Sequence, residues 1–413
     1  MSLVGNPQLM RRVNRSAVLS LLREHGPLSR SDVARLLNIS PSTVTRVVSQ
    51  LIEEDLLYEE NETAGLNAGI GRRPTLIHFN FMSHLVIGVD VGGVKAIGSV
   101  ADLQGDILYR KQVPSVPEGD RSQSLSHLLN FVEELIQAAP GPRGKIRGIG
   151  VGVPSIVSSQ EGTVVWAPAL GWRNVPLKQI IEERFGISTF VENDVNAAAL
   201  GESEFGIGRG VGNLVCIFVG TGIGGGLILN GKLYRGHEDA AGEVGYMIPS
   251  PDLLDRSYED TFGCLESLAA GPGVARRAEE AMTDDAETSL RAAGTLTAKQ
   301  VFQAAREGDA LAREVVTRTV DYLAQAVANV SCLLNPEMIV LGGGLTRSDD
   351  LLLEPIRERV YRVVPSKPRI VLSQLGDDAV LRGAIALAIR DTREDIYIQG
   401  NAAWQAGYEA QPS

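Results

Sequence analysis

An α/β protein in two unlike parts is what this sequence predicts: a short helical head, then two similar sheet lobes. Three observations predict it. Three capped helical patterns crowd into the first eighty residues. After residue 84 the series strand, glycine turn, strand, hairpin, strand occurs twice. And 413 residues are too many for one ordinary core. A hydrophobic share of 44% with 22% charged residues fits a folded chain, and many of the 45 glycines fall in clusters placed like ligand loops. The three cysteines, Cys216, Cys264 and Cys332, are odd in number and far apart, so a disulfide framework is not expected and a reducing cytoplasm is. The N-terminus carries no apolar signal core, and no run approaches the roughly 18 apolar residues that span a bilayer; no membrane partner is expected. Net charge is −11, but residues 1–80 hold nine arginines against eight acids, which makes the head +1 and the remainder −12.

The head takes its elements in quick order. Residues 14–23 place Val18, Leu19, Leu21 and Leu22 on one side, and Gly26-Pro27 stops the pattern. Ser29 caps a second helix, with Asp32 three residues on and Val33, Leu36 and Leu37 facing inward. Ser40 and Pro41 then supply a cap and a first-turn proline for a third helix that buries Val44, Val47, Val48, Leu51 and Ile52. Two short helices joined by a tight turn make a helix-turn-helix whose second helix lies in a major groove. Ser42, Thr43, Thr45 and Arg46 on its first turns, with Gln50 beyond, suit phosphates and base edges. Residues 56–60 and 75–79 alternate like paired strands around a tip holding Arg72 and Arg73, a wing able to enter a minor groove. A helical protein-interaction module with a solvated arginine pair is the competing reading; the order of caps, turn, polar face and basic hairpin favours DNA.

In the body, residues 85–91, 95–101 and 106–111 read as strands around Asp90, Gly92 and Gly93; 213–219, 227–229 and 232–234 repeat the scheme around 220–226. Asn230-Gly231 between the last two is a type I′ turn signal. Residues 220–225 match a GxGxxG spacing, but a strand rather than a helix follows, and no Gly-Lys-Ser/Thr ending is present, so neither a dinucleotide fingerprint nor a P-loop is predicted. Backbone N–H groups of glycine hairpins approaching phosphates, with Gly342-Gly343-Gly344 after the strand 338–341, fit better. Helices are expected at 123–138, 177–185, 310–334 and 379–389, and the first two cover the first lobe.

Between the lobes, residues 190–202 end a short strand in Glu192, Asn193 and Asp194 and pass into an alanine-rich helix. Such a junction is where α/β sheets bind ligands. Asp194 is the first candidate for a working carboxylate; the plain alternative is that Asn193 or Asp194 caps the helix.

Several stretches together resemble the ROK family, specifically its transcriptional regulators of the xylose, glucose and N-acetylglucosamine type. They are the run from Asp90 to Lys95, Glu192 to Asp194, Gly220 to Gly226, Ala241 to Gly245, Gly263 to Glu266 and Leu341 to Gly344. The resemblance implies a winged helix-turn-helix at 1–80, then a two-lobed body of the actin and hexokinase type with a ribonuclease H-like ATPase fold. Its lobes would be 81–196 and 197–390, followed by a tail at 391–413. In the family's kinases the residue matching Asp194 is the base on the sugar hydroxyl, and those matching Asn193, Glu243 and Glu266 hold sugar hydroxyls. Tyr246 stands where a histidine touches the sugar. Asp90, Gly92, Gly93, Lys95, Gly220, Thr221, Gly222, Gly224, Gly342 and Gly343 match nucleotide-contacting positions, so ATP with magnesium is an optional ligand and no cofactor is required. The family's zinc site needs a histidine and three cysteines; Tyr246, Ser257, Glu259 and Cys264 occupy those places, and one thiolate does not make a closed zinc site. Zinc is expected to be absent. Val94 replaces a threonine beside the phosphates, and Ala169 an asparagine on the sugar.

The resemblance thus implies a sugar-responsive repressor of carbohydrate metabolism, a dimer or tetramer on a palindromic operator, with a monosaccharide as effector. An ATP-dependent sugar kinase with an appended DNA-binding head is the alternative.

Overall fold

The computed structural model describes residues 7–61, 75–116, 119–255, 263–344, 346 and 349–398. The head comprises α1 (Pro7–His25), β1 (Leu28–Ser29), α2 (Arg30–Leu37), α3 (Pro41–Glu53), β2 (Leu57–Asn61) and β3 (Thr75–Phe79). Its helix starts follow from the caps: the Ser29 hydroxyl accepts from the Asp32 N–H at 3.2 Å, and the Ser40 hydroxyl from the Thr43 N–H at 3.2 Å. Asn38, in the left-handed region, closes α2 and makes the tight turn to α3. Strands β2 and β3 pair antiparallel, and β1 joins β3 on its other edge, a strand the sequence pattern does not reveal. The expected wing tip with Arg72 and Arg73 lies outside the described residues.

The first lobe adds β4 (Leu85–Val91), β5 (Lys95–Asp102), β6 (Ile107–Pro114), α4 (Ser124–Ala138), β7 (Ile146–Val153), β8 (Val157–Ser158), β9 (Thr163–Ala167), β10 (Trp172–Val175), α5 (Leu177–Phe185) and β11 (Thr189–Asn193). After α6 (Asp194–Phe205), the second lobe holds β12 (Leu214–Val219), β13 (Ile223–Leu229), β14 (Lys232–Tyr234), α7 (Cys264–Ala269), α8 (Gly271–Ala281), α9 (Ala298–Glu307), α10 (Ala310–Leu334), β15 (Met338–Gly342), α11 (Asp349–Val363) and β16 (Arg369–Leu372). The closing helix is α12 (Ala379–Ile398).

The duplication read from the sequence is real. One sheet runs β11-β7-β4-β5-β6 and the other β14-β13-β12-β15-β16; each has an antiparallel three-strand meander and two parallel strands beside its first member. Asn230 and Gly231, at φ 52° and 72°, form the expected type I′ hairpin. Six of the seven β4 residues are buried, as an interior strand covered on both faces requires. Helices α4 and α5 cover one face of the first sheet around Phe131, Leu135 and Ile181; α10, with α7, α8, α9 and α11, encloses the second around Phe302 and Ile339.

Helix α12 departs from the expected boundary. The resemblance places residues 379–390 in the second lobe, whereas Leu381, Ile385, Ala388 and Ile389 pack on Val86, Ile97 and Ala101 of the first sheet. The chain returns because that face of the sheet, apolar and uncovered by α4 or α5, would otherwise meet water. The fit depends on glycines. A Cβ on Gly150 would overlap the Ala384 carbonyl, and one on Gly383 would overlap the Ala197 carbonyl, so β7, α6 and α12 meet nearly backbone to backbone.

The head is not a loose appendage. Leu103, from the turn between β5 and β6, is buried in the head's own core with Leu19, Leu51 and Phe79, and Phe81 packs against that core. Among the described residues no helix is long and apolar enough to cross a membrane.

Overpacking a close-packed contact costs about 1–3 kcal/mol or more. Gly383→Ala is therefore expected to lower unfolding stability by about 3 kcal/mol; a denaturation midpoint equal to the wild type's would contradict the close approach of α6 and α12.

Candidate functional site between the lobes

Strand β11 delivers Glu192, Asn193 and Asp194 to the N-terminus of α6, and the two competing readings of this stretch are divided between its residues. Asn193 is the cap: its Oδ1 accepts from the Val195 and Asn196 N–H groups at 2.9 and 3.0 Å, and its Nδ2 donates to the Ser155 carbonyl at 3.1 Å. One amide hydrogen remains for a ligand. Asp194 takes the Val195 N–H on Oδ1 at 2.8 Å, leaving Oδ2 to the cleft. Burial pushes its carboxyl up to about 6, against the Val195 hydrogen bond and with the Glu243 charge adding to the rise.

The other expected acids converge on it from the second lobe. Glu243 follows the hairpin β13-β14; desolvation by the cleft walls and the Glu266 charge raise its pKa. Glu266, in the first turn of α7, is raised by burial, while the Ile223 N–H donating to its Oε2 at 2.8 Å opposes this. Tyr246 is half-exposed and titrates above its ordinary value through desolvation, Glu243 and Glu266. Three carboxylates and a phenol thus lie close enough to feel one another's charge, with the Asn193 amide beside Asp194, an arrangement that suits a polyol whose hydroxyls each donate and accept.

Beside it lies the turn from β4 to β5. Asp90 is pushed up to about 7 by burial and by Asp194, with Lys95 opposing and Asp378 and Asp377 adding. The Gly92 N–H donates to the Lys95 carbonyl at 3.0 Å, which closes the turn and leaves Val94 84% exposed at its tip. A Cβ on Gly93 would stand 3.1 Å from the Ala169 Cβ, so Ala169 lies against the turn that carries Val94.

The glycine run at 220–226 divides differently from the expectation. Gly220, Thr221 and Gly222 form the turn, but Gly224 lies inside β13, where a Cβ would meet Val195 at 2.7 Å. Its bareness lets α6 lie against the sheet. A Cβ on Gly222 would stand 2.6 Å from Glu266 Oε2, so that glycine makes room for an acid. Gly342 ends β15 and Gly343 turns at φ 89°. Gly343 packs on the backbone of Val219, so the two glycine turns lie side by side at one end of the second sheet.

Two cross-lobe contacts carry no local sequence signal. Glu192, 2% exposed, accepts from Asn193 N–H at 3.0 Å and Asn196 Nδ2 at 3.1 Å, and pairs with Arg235 beyond β14 at 2.8 Å. Ser159 Oγ donates to Asp239 Oδ1 at 2.6 Å. Only the position of Arg235 directly after the second hairpin could have hinted at its role. Of the expected zinc positions, Ser257 and Glu259 lie outside the described residues, and Cys264 directs its thiol to the Leu253 carbonyl. Among the described residues no three His, Cys, Asp or Glu side chains converge to hold a metal ion.

On the head, Ser42, Thr45 and Arg46 are exposed on α3, and Arg46 has no ion-pair partner among the described residues. By contrast Arg15, Arg30 and Arg35 pair with Glu54, Glu59 and Asp32. The Thr43 hydroxyl lies 2.8 Å from Ser40 Oγ within the cap.

Known proteins resemble this chain over most of its length. The ROK family profile matches residues 86–391 and the MarR family profile residues 13–62. The chain is 31% identical over 396 residues to the xylose repressor of Caldicellulosiruptor bescii, covering 94% of this chain and 98% of that one. The crystal structure of a ROK family transcriptional regulator, a homolog of the Escherichia coli MLC protein, superposes with a TM-score of 0.79 at 25% identity, over 94% of this chain and 98% of the other. A ROK family glucokinase from Streptomyces griseus, in complex with glucose and AMPPNP, gives 0.62 at 32% identity over 74% and 99%.

An acid whose folded pKa is raised binds more protons folded than unfolded between about pH 4 and its folded value. Folding is then favoured below that window and penalised as pH rises through it. Asp90→Asn and Asp194→Asn remove the penalty, so each variant's stability relative to the wild type is expected to rise from pH 5 to pH 8. A difference that stays flat across that range, in denaturant titrations at both ends, would contradict the assigned burial.

Proposed function

The chain belongs to the ROK family, and from that premise we propose that it is a sugar-responsive repressor whose kinase-like body is the sensor for a DNA-reading head. The observation that carries this reading is the joining of three parts. Three carboxylates and a phenol, Asp194, Glu243, Glu266 and Tyr246, come together from two lobes; Glu192 and Arg235 tie those lobes; and Leu103 of the first lobe is built into the head's core. A monosaccharide that binds one closure of the lobes better than the other shifts their equilibrium, and the head moves with the first lobe.

In the cleft, the free Oδ2 of Asp194 and the free Oε1 of Glu266 accept sugar hydroxyls, Tyr246 donates or accepts, and the remaining Asn193 amide hydrogen donates. On DNA, Ser42, Thr43, Thr45 and Arg46 meet the major groove, with Arg72 and Arg73 assigned to the wing. Because such a helix reads only a few base pairs, a two-fold pair of chains on a palindromic operator is the matching assembly.

One observation favours a second reading. A carboxyl with a pKa of about 6 is well matched to general-base work near neutral pH. When bound, ATP with magnesium supplies a phosphoryl group; Asp90, Gly92, Gly93, Lys95, Gly220, Thr221, Gly222, Gly342 and Gly343 would hold it, and Asp194 would take the hydroxyl proton. Exposed Val94, which offers no hydroxyl to the phosphates, weighs against turnover.

Operator affinity measured at fixed salt with a panel of monosaccharides tests the proposal. One sugar is expected to change the dissociation constant by ~5- to 150-fold, with the effect lost in Asp194→Asn and basal DNA binding weakened in Arg46→Ala. No change with any sugar would sink the sensor reading, and sugar-dependent ADP release abolished in Asp194→Asn would promote the kinase.

A further inference from the structure

Helix α6 begins at Asp194 in the sugar cleft and ends at Phe205 beside a second cavity, about 760 Å³ in volume. Twelve residues at ~1.5 Å each separate the two by roughly 18 Å. The volume lies within the range of small-molecule sites, ~300–1,000 Å³. Its walls come from three bodies: Arg23 from α1 of the head, Gln104 and Asp106 from the first lobe's β5-β6 turn, and Arg209 from the loop entering the second lobe. Arg382 of α12 and Glu204 of α6 complete them.

The chemistry of the lining is specific. Arg382 is fixed: its Nη1 donates to the Gly105 carbonyl at 2.7 Å, and its guanidinium lies 5.9 Å over the Phe205 ring. Arg23 and Arg209 have no ion-pair partner among the described residues, although Asp106 and Glu204 line the same space. Three guanidinium groups against two carboxylates leave the lining one charge positive, and the planar donor forks of Arg23 and Arg209 match phosphate oxygens. Asp106, Glu204 and Gln104 supply acceptors for hydroxyl groups. We propose that this cavity is a second effector site, distinct from the sugar cleft, that binds a small phosphorylated polyol, with Arg23 and Arg209 on the phosphoryl group. Such a ligand bridges head and lobes directly, and the assignment rests on these lining residues, not on the ligand proposed for the cleft.

Isothermal titration of the full chain with ribose 5-phosphate, and separately with ribose, tests this. Ribose 5-phosphate is expected to bind at least tenfold more tightly than ribose. Arg209→Gln and Arg23→Gln should each weaken it at least tenfold, while Lys299→Gln, which removes the same charge from α9 outside the cavity, should not. No heat from ribose 5-phosphate at millimolar concentration would overturn the proposal. So would equal affinity in wild type and an Arg23→Gln/Arg209→Gln double variant whose circular dichroism and denaturation midpoint match the wild type's.

Discussion

Much of this structure depends on one buried carboxylate. Glu192 is almost wholly removed from water, and a carboxylate so placed must be paired and hydrogen-bonded to be tolerated. Its partners are the Asn193 N–H, the Asn196 amide and the Arg235 guanidinium. The first two fix the entry into α6, and therefore the direction of Asp194. The third comes from the other lobe. The position of Asp194 and the joining of the two lobes at this point are consequently set by the same group, and neither can change without disturbing the other.

Closure reaches the head through packing. Helix α6 lies against α12 at the Gly383 contact, α12 lies on the first sheet, and the β5-β6 turn of that sheet places Leu103 inside the head. Each contact is dense enough to move as a unit, since interiors packed to this density transmit displacement rather than absorb it. The salt bridge of Lys145 with Asp55, at 3.7 Å and partly exposed, adds orientation more than stability.

What could be read in the sequence was what local chemistry dictates. Ser29, Ser40 and Pro41 announce their helices because a cap acts within one turn, and Asn230-Gly231 announces its hairpin because positive φ is needed at both positions. The acids of the candidate site draw attention for a related reason: Glu243 and Glu266 stand in glycine-rich turns, and Asp194 at a strand-to-helix junction. The strands β8, β9 and β10 escaped because two to five residues leave too little alternation to detect. The return of α12 to the first lobe, and the pairing of Glu192 with Arg235 forty-three residues away, are decided by which surfaces remain uncovered after the sheets form. Likewise Gly224 reads as a ligand-loop glycine until Val195 is seen against it.

In the proposed function, cleft closure held at Glu192 and Arg235 couples sugar to DNA. The direct measurement is the ratio of operator dissociation constants with and without saturating sugar, in the wild type and in Glu192→Gln combined with Arg235→Met, which avoids leaving either charge buried alone. The ratio is predicted to collapse toward one in the variant while sugar still binds. A variant that binds sugar and keeps the wild-type ratio would contradict the claim.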